Sequence, residues 1–498
     1  MGTPRNLLWI MTDQHRADCL GYMGHPAVQT PNLDRLASAG VVFENAFCQS
    51  PVCMASRASL FTGRYPAAVR VRGMGVLPPS ETTFPEVLRR RGFHTAAFGK
   101  VHFTPEQYTL QELRSDVPSL DWRRYAKAAG IPPIPEDPFK ENYGFETYVG
   151  CEDILKGNFL AWLRERNAAL AARKPERWQA DGPRDLFVSP YPSELHSSTF
   201  IAAQAADFIQ AAAGGNVPWF TFCSFIAPHH PFEAPADQIS RYDIKSIPLP
   251  LQKGGVEPAF IPSPGSTAID DERYPEEIRR RIVLHYLASI SLIDDGVGRL
   301  VSALERSAQM EDTMIVFTSD HGEFLGNHGL FRKPSLHYDE TLRVPLLVRL
   351  PGGCAVRRRV RSLVELTDVH PTLLGFLGIP VNDGVQGFDW SAGLRAGANI
   401  GREDIYADMF DIMPQRFGKR SGPYMAVQTL RTENWKLNIY PTAGSQYGQL
   451  FDLKNDPDES KNRYADKSCR KIRDELLWRL ASRMFRNTDP LPFYLTQF

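Results

Sequence analysis

Short apolar runs recur along the chain, and several of them end in clusters of polar residues. Leu7-Leu8-Trp9-Ile10-Met11 runs into Thr12-Asp13-Gln14, and Thr95-Ala96-Ala97-Phe98 runs into Gly99-Lys100-Val101-His102. Trp219 to Ile226 leads to Pro228-His229-His230-Pro231, and Met314 to Phe317 leads to Thr318-Ser319-Asp320-His321-Gly322. Unbroken rather than alternating apolar runs are what parallel strands covered on both faces require. Ligands of open α/β sheets gather beyond the carboxyl ends of the strands. Four such strands, each delivering acidic, basic or amide groups at the same end, predict an active site there.

The intervening segments carry helix signals. Thr30-Pro31 before Asn32-Leu33-Asp34-Arg35-Leu36, closed by Gly40, offers a cap, an early proline and a terminal glycine. Pro85 to Arg91 before Gly92 repeats the scheme, and Glu276 to Glu305 predicts a long helix with a break near Asp294-Asp295-Gly296. Two stretches, Tyr108 to Tyr148 and Ile244 to Pro275, read as irregular insertions, either loops that line a site or surface elaboration. After about residue 385 the texture changes. Val427 to Arg431 and Trp435 to Tyr440 read as antiparallel strands, Leu450 to Pro457 as a strand entering a turn, and Ile472 to Phe485 as a closing helix. The expected class is α/β: a large wound, mostly parallel sheet flanked by helices (1–385), then a smaller α+β C-terminal domain with a short antiparallel sheet (386–498).

Composition changes this picture little. The 498 residues suffice for more than one domain, and 43% hydrophobic with 23% charged is ordinary for a globular chain. Lys+Arg and Asp+Glu number 57 each, so the balance gives no reason to expect a nucleic-acid or membrane partner. The apolar run at Leu7 to Met11 is too short for a secretory signal, and no run approaches a membrane span. Seven scattered cysteines without a CxxC pair read as reduced thiols of a cytoplasmic protein.

One cysteine stands apart. Ser50-Pro51-Val52-Cys53-Met54-Ala55-Ser56-Arg57-Ala58-Ser59-Leu60-Phe61-Thr62-Gly63-Arg64 sets a thiol one helical turn before an arginine, beside a predicted helix N-terminus. A lone cysteine is ordinarily a small buried apolar group. Arg57 and the helix end together make an electropositive pocket suited to an anionic ester. The segment resembles the sulfatase signature, with Ala55 where the family's commonest form has proline. The resemblance implies that Cys53 is oxidised to Cα-formylglycine by a formylglycine-generating enzyme. It also implies a hydrolase that cleaves sulfate monoesters through a covalent enzyme–sulfate intermediate.

Oxygen ligands from Asp13, Gln14 and Asp320, with a nitrogen from His321, suit one hard divalent cation; the nitrogen shifts the preference somewhat toward Mn²⁺. By resemblance the matching positions bind Ca²⁺, with modified Cys53 adjoining the ion. Gln14 departs from the common sulfatase pattern and is similar to phosphonate monoester hydrolases and choline sulfatases of the same alkaline-phosphatase superfamily, where Mn²⁺ also occurs. Gly99-Lys100-Val101-His102 resembles the family's Gly-Lys-x-His motif, in which the lysine grips the nucleophile and sulfate and the histidine removes a proton from the second hydroxyl. His229 matches the histidine that contacts the leaving oxygen, Lys333 the lysine on the ester side, and Asp320 the group that orients or deprotonates the attacking hydroxyl. His230, His328 and His337 are weaker candidates, and His15 is a candidate for the rim. The alternatives are a phosphonate monoester or phosphodiester hydrolase with the same nucleophile, against which Lys100 and His102 argue, and a non-catalytic anion-binding member. The alcohol half of the substrate stays open, as does a homo-oligomer, for which Tyr494 to Phe498 could dock on a neighbour.

Overall fold

The computed structural model describes residues 3–104, 142–153, 155, 157–177, 186–251, 274–352, 358–411 and 425–488. Most of the irregular stretch 108–148, much of 244–275 and the tail 494–498 lie outside them. In chain order the strands are β1 (Asn6–Thr12), β2 (Val41–Phe47), β3 (His94–Gly99), β4 (Thr147–Gly150), β5 (Glu176–Arg177), β6 (Leu186–Val188), β7 (Trp219–Ser224), β8 (Phe232–Ala234), β9 (Thr313–Ser319), β10 (Arg343–Arg349), β11 (Arg358–Glu365), β12 (Asp404–Asp411), β13 (Met425–Thr432), β14 (Trp435–Ile439) and β15 (Gly448–Asp452). The helices that matter most here are α1 (Pro31–Ser38), α2 (Cys53–Thr62), α3 (Ser197–Ala211), α4 (Glu276–Arg306) and α5 (Arg470–Arg486).

Eight strands form the central sheet in the order β11-β2-β10-β9-β1-β7-β3-β4. Only β10 runs against its neighbours; the other adjacent pairs are parallel. The four strands singled out by their polar ends are β9, β1, β7 and β3, side by side in the middle. Thr12 stands opposite Ser319, and both Met11 and Gly99 stand opposite Ser224. The segments that begin at Asp13, Asp320 and Lys100 therefore leave the sheet at one level.

Successive side chains of a strand point to opposite faces, and β1 feeds two cores in this way. Leu7, Trp9 and Met11 join Phe61, Phe84, Phe220 and Phe222 on one face. Leu8 and Ile10 join Phe200, Ile201, Ile293, Val297 and Phe317 on the other, under α3 and α4. Trp9 stacks on Phe61 of α2 at 5.1 Å between ring centroids. All ten residues of α2 are buried, so the helix that starts with Cys53 is held on every side.

The expected break in α4 does not occur; the helix runs unbroken for 31 residues. Asp294 turns instead toward α1, where its carboxylate accepts from the backbone N–H groups of Asn32 (3.0 Å) and Leu33 (2.8 Å). Helix N-termini leave such donors unpaired. Thr30, expected to cap α1, makes no capping bond and donates instead to Asp34 at 3.1 Å. The second sheet has the order β12-β13-β14-β15, antiparallel throughout, and packs against α5 through Leu430, Leu437, Leu450, Leu476 and Leu480. No helix among the described residues is long and apolar enough to cross a membrane.

Asp294→Ala should lower unfolding stability by about 1–3 kcal/mol, because it leaves buried N–H donors unpaired. Asp294→Asn should cost less, since it keeps an acceptor. Urea unfolding checks both, and equal costs would remove the capping role.

Candidate active site

The site begins with two turns that close glycines make available. A Cβ at Gly99 would fall 1.9 Å from the Ser224 carbonyl oxygen, and one at Gly322 would fall 1.9 Å from the Glu340 carbonyl oxygen. Only glycine lets the Lys100 and His321 segments pack so closely. Gln14 and His102 adopt positive φ, at 65° and 55°. Non-glycine residues held in that region are costly and concentrate at functional sites.

Arg57 is the centre of the charge arrangement and is wholly buried. Its Nε donates to Asp320 Oδ2 at 2.8 Å and its Nη2 to Asp13 Oδ2 at 3.2 Å. Its Nη1 donates to the Lys100 carbonyl at 2.6 Å and to Ser224 Oγ at 3.1 Å. Lys100, also wholly buried, places Nζ 2.8 Å from Asp13 Oδ2 and 2.5 Å from Asp153 Oδ1. Burial opposes charge on Asp13, but Lys100, His229, Lys333 and Arg57 outweigh it and hold the carboxyl well below its usual range. Burial likewise opposes charge on Lys100, and Asp13 and Asp153 outweigh it and raise the ammonium well above its usual value. The Cys53 thiol, at the first position of α2, is close enough to act on the charges of both Arg57 and Lys100.

Ligand atoms of Asp13, Asp320 and His321 lie within 4.8 Å of one another, all three residues buried. Asp13 Oδ1 has no hydrogen-bond partner, although buried carboxylate oxygens are ordinarily satisfied. It lies 3.6 Å from His321 Nε2. His321 Nδ1 is 2.9 Å from the Gly322 carbonyl, a bond that puts the proton on Nδ1 and leaves the Nε2 lone pair to accept from the Lys333 ammonium or to bind a cation. Backbone carbonyls fix metal-binding histidines in this way. A buried carboxylate oxygen without a hydrogen-bond partner, a second carboxylate and an oriented imidazole fit one divalent cation. Gln14 adjoins the trio: its backbone N–H donates to Asp320 Oδ1 at 3.1 Å, and its side-chain amide meets Glu323 and, at 3.2 Å, His230.

The remaining predicted residues divide. Lys333 Nζ lies 2.7 Å from His321 Nε2. His229 Nε2 lies 3.9 Å from Asp13 Oδ1, and its Nδ1 meets the His230 carbonyl at 2.5 Å. Burial first, then Lys333, pushes the His229 ring well below its usual value. His102 is buried with both ring nitrogens unpartnered, and burial with Lys100 lowers it to about 4. His230 stacks on His229 at 4.1 Å and so joins the site. His15 does not reach the rim: it is buried, with Nε2 3.1 Å from the Cys19 carbonyl. His337 bonds Thr429 of the second sheet at 2.8 Å, and His328 packs on Tyr338 at 4.4 Å; both are structural.

Sequence reading passed over Glu152, Asp153, Ser224 and Glu323. Asp153 and Glu152 follow the short strand β4, which has no strong apolar run to announce it. Glu323 directly follows Asp320-His321-Gly322, so its place in that motif was the available signal. It is wholly buried, accepts from the Leu325 N–H at 2.9 Å, and is raised by burial to about 7.

Comparison with known proteins follows the same lines. The family model described as Sulfatase matches residues 5–379, and one described as N-sulphoglucosamine sulphohydrolase, C-terminal, matches residues 326–485. An arylsulfatase of Clostridium perfringens is 28% identical over 92% of this chain and 89% of its own. Mouse (Mus musculus) iduronate 2-sulfatase is 30% identical over 76% of this chain and 69% of its own. The crystal structure of the phosphonate monoester hydrolase of Agrobacterium radiobacter superposes with a TM-score of 0.77 at 26% identity, covering 98% of this chain and 96% of that one.

Arg57→Ala should destabilise the fold by about 3–5 kcal/mol, since it leaves the buried Asp320 carboxylate without its cationic partner and Asp13 with Lys100 alone. The loss should be larger in chelator-treated protein than with a divalent ion added, because the ion takes over part of the neutralisation. Thermal melts with and without EDTA decide it, and equal losses would argue against a cation beside Asp13 and Asp320.

Proposed function

The chain belongs to the sulfatase family and is a sulfuric ester hydrolase, and we propose that residue 53 is its nucleophile, after oxidation of Cys53 to Cα-formylglycine by a formylglycine-generating enzyme. The observation that carries this reading is Asp13 Oδ1, buried without a hydrogen-bond partner beside Asp320 and His321. Asp13, Asp320 and His321, with Gln14 beside them, would hold one divalent ion. Hard oxygen ligands favour Ca²⁺ first and Mn²⁺ second. Such an ion polarises the ester oxygen and lowers the pKa of an attacking hydroxyl. As its hydrate, formylglycine offers one hydroxyl to attack sulfur and a second whose loss of a proton releases sulfate.

The chain's own residues supply the rest. Arg57 and Lys100 bring positive charge to the start of α2, where the sulfuryl group of a monoester would lie. Asp320 has both oxygens engaged, Oδ1 by the Gln14 and His321 N–H groups and Oδ2 by Arg57, so its role is to orient rather than to deprotonate. His102, neutral because burial keeps its pKa near 4, takes the proton from the second hydroxyl. His229 and Lys333 meet the leaving oxygen. Acid–base groups so placed contribute about 10²–10⁴-fold each. The six described cysteines are all buried and free, which supports a cytoplasmic setting.

A second reading keeps the same nucleophile and takes phosphonate monoesters or phosphodiesters. Gln14 and the close superposition on a phosphonate monoester hydrolase favour it. Lys100 and His102 favour sulfate, because a sulfate adduct leaves by simple elimination once His102 has taken the proton, and a phosphate adduct leaves less readily.

A hydrolysis panel of sulfate, phosphonate and phosphodiester substrates should give the highest kcat/KM with a sulfate monoester. A phosphonate or diester outrunning every sulfate would establish the second reading. Mass analysis of the residue-53 peptide should show the aldehyde in active protein, and Cys53→Ala should lose nearly all turnover while keeping its melting temperature. Wild-type rates in that variant would remove residue 53 from the reaction.

A further inference from the structure

Two acidic residues just beyond β4 lie against the Lys100–His102 turn and have no part in the chemistry above. Asp153 Oδ1 lies 2.5 Å from Lys100 Nζ, whose other partner is Asp13 Oδ2 at 2.8 Å. Glu152 Oε1 accepts from the backbone N–H of Val101 (3.0 Å) and of His102 (3.3 Å), and from the Tyr148 hydroxyl (3.2 Å). These bonds tie down the residue that carries the positive φ of 55°. Glu152 Oε2 is buried without a hydrogen-bond partner, and so are both ring nitrogens of His102. The two side chains are near enough for each to act on the other's charge.

This arrangement rests on the reading of His102 as the base, and from it we propose that Glu152 and Asp153 are positioning residues: Glu152 orients His102 and stabilises the charge its ring gains with a proton, and Asp153 shares the Lys100 ammonium with Asp13. A buried imidazolium without an anion beside it is costly. A carboxylate that fixes the imidazole and then faces its positive form is the recurrent solution. Glu152 has one oxygen holding the backbone and one free for that purpose. Asp153 acts through geometry. An ammonium has three donors; with Asp153 present, one is directed away from Asp13. Without it, the full charge of Lys100 falls on the carboxylate that would also hold the cation, and the two compete.

Glu152→Gln keeps an oxygen for the two backbone donors and removes the charge. It should leave the melting temperature and KM nearly unchanged and lower kcat about 10²-fold, and Glu152→Asp should recover part of that loss. Unchanged kcat with a lowered melting temperature would reduce Glu152 to a structural cap. Nitrogen-15 NMR of the His102 ring in the wild-type protein should show a single tautomer; an even mixture would overturn the pairing, whatever the variants do. For Asp153, titration of metal-free protein with Ca²⁺ or Mn²⁺ should show about tenfold weaker binding in Asp153→Ala, and no further weakening when that change is added to Lys100→Met. An equal loss in both backgrounds would show that Asp153 does not act through Lys100. The NMR and metal titrations do not depend on turnover, so they decide the positioning roles even if the ester panel or Cys53→Ala overturns the reading of residue 53.

Discussion

Everything at this site depends on keeping several charges in a place with almost no water. Arg57, Asp13, Asp320 and Lys100 are all wholly buried. A single charge transferred there unpaired would be neutralised or expelled. The structure answers by linking them: Arg57 bridges the two acids, Lys100 leans on Asp13 from the other side, and Asp153 shares the lysine. Of the two acids that Arg57 bridges, one oxygen is left over, Asp13 Oδ1. The incompleteness is local, and it is where a cation would gain most; an anionic ester would gain from that cation and from Arg57 and Lys100.

That charge cluster explains the geometry of the scaffold around it. The four strands that deliver it are adjacent and in register at their carboxyl ends. The turns after them are cross-linked by short polar bonds: Ser319 Oγ donates to the Thr12 carbonyl at 3.1 Å, and the His15 N–H donates to Ser319 Oγ at 3.0 Å. His15, which looks like a site residue from its neighbours in sequence, belongs to this bracing. Rigid elements hold reacting groups more narrowly than free loops can, and the full burial of α2 serves the same end for residue 53.

Much of this was legible in the chain. Buried parallel strands announce themselves as continuous apolar runs, and polar clusters at their ends marked Asp13, Lys100, His229 and Asp320 before any geometry was known. What escaped notice did so for physical reasons. Strand β4 is a partly exposed edge of only four residues, Thr147–Gly150, so Glu152 and Asp153 had no strand to be read from. Asp294-Asp295-Gly296 carries the letters of a helix break, but Asp294 pairs with the end of α1 and Gly296 leaves room for Phe225 and Ala202. Contacts between elements far apart in sequence decided that case, and no local pattern contains them.

The second sheet has a share in the site through the segment that carries Lys333. Lys333 stands in an extended segment with little regular structure of its own. The residues just after it are gripped by the second sheet: Lys436 Nζ lies 2.8 Å from Asp339 Oδ1 and 2.5 Å from Glu459 Oε1, and Asn438 donates to the His337 carbonyl at 3.0 Å. Gln449 donates to the Tyr338 hydroxyl at 3.1 Å. Lys436 is wholly buried, so its two acid partners cannot exchange it for water at little cost. The arm that carries Lys333 is thus anchored at one end to His321, just beyond β9 of the central sheet, and at the other to the antiparallel one. Neither sheet alone would fix that ammonium, which is a physical reason for the chain to carry both.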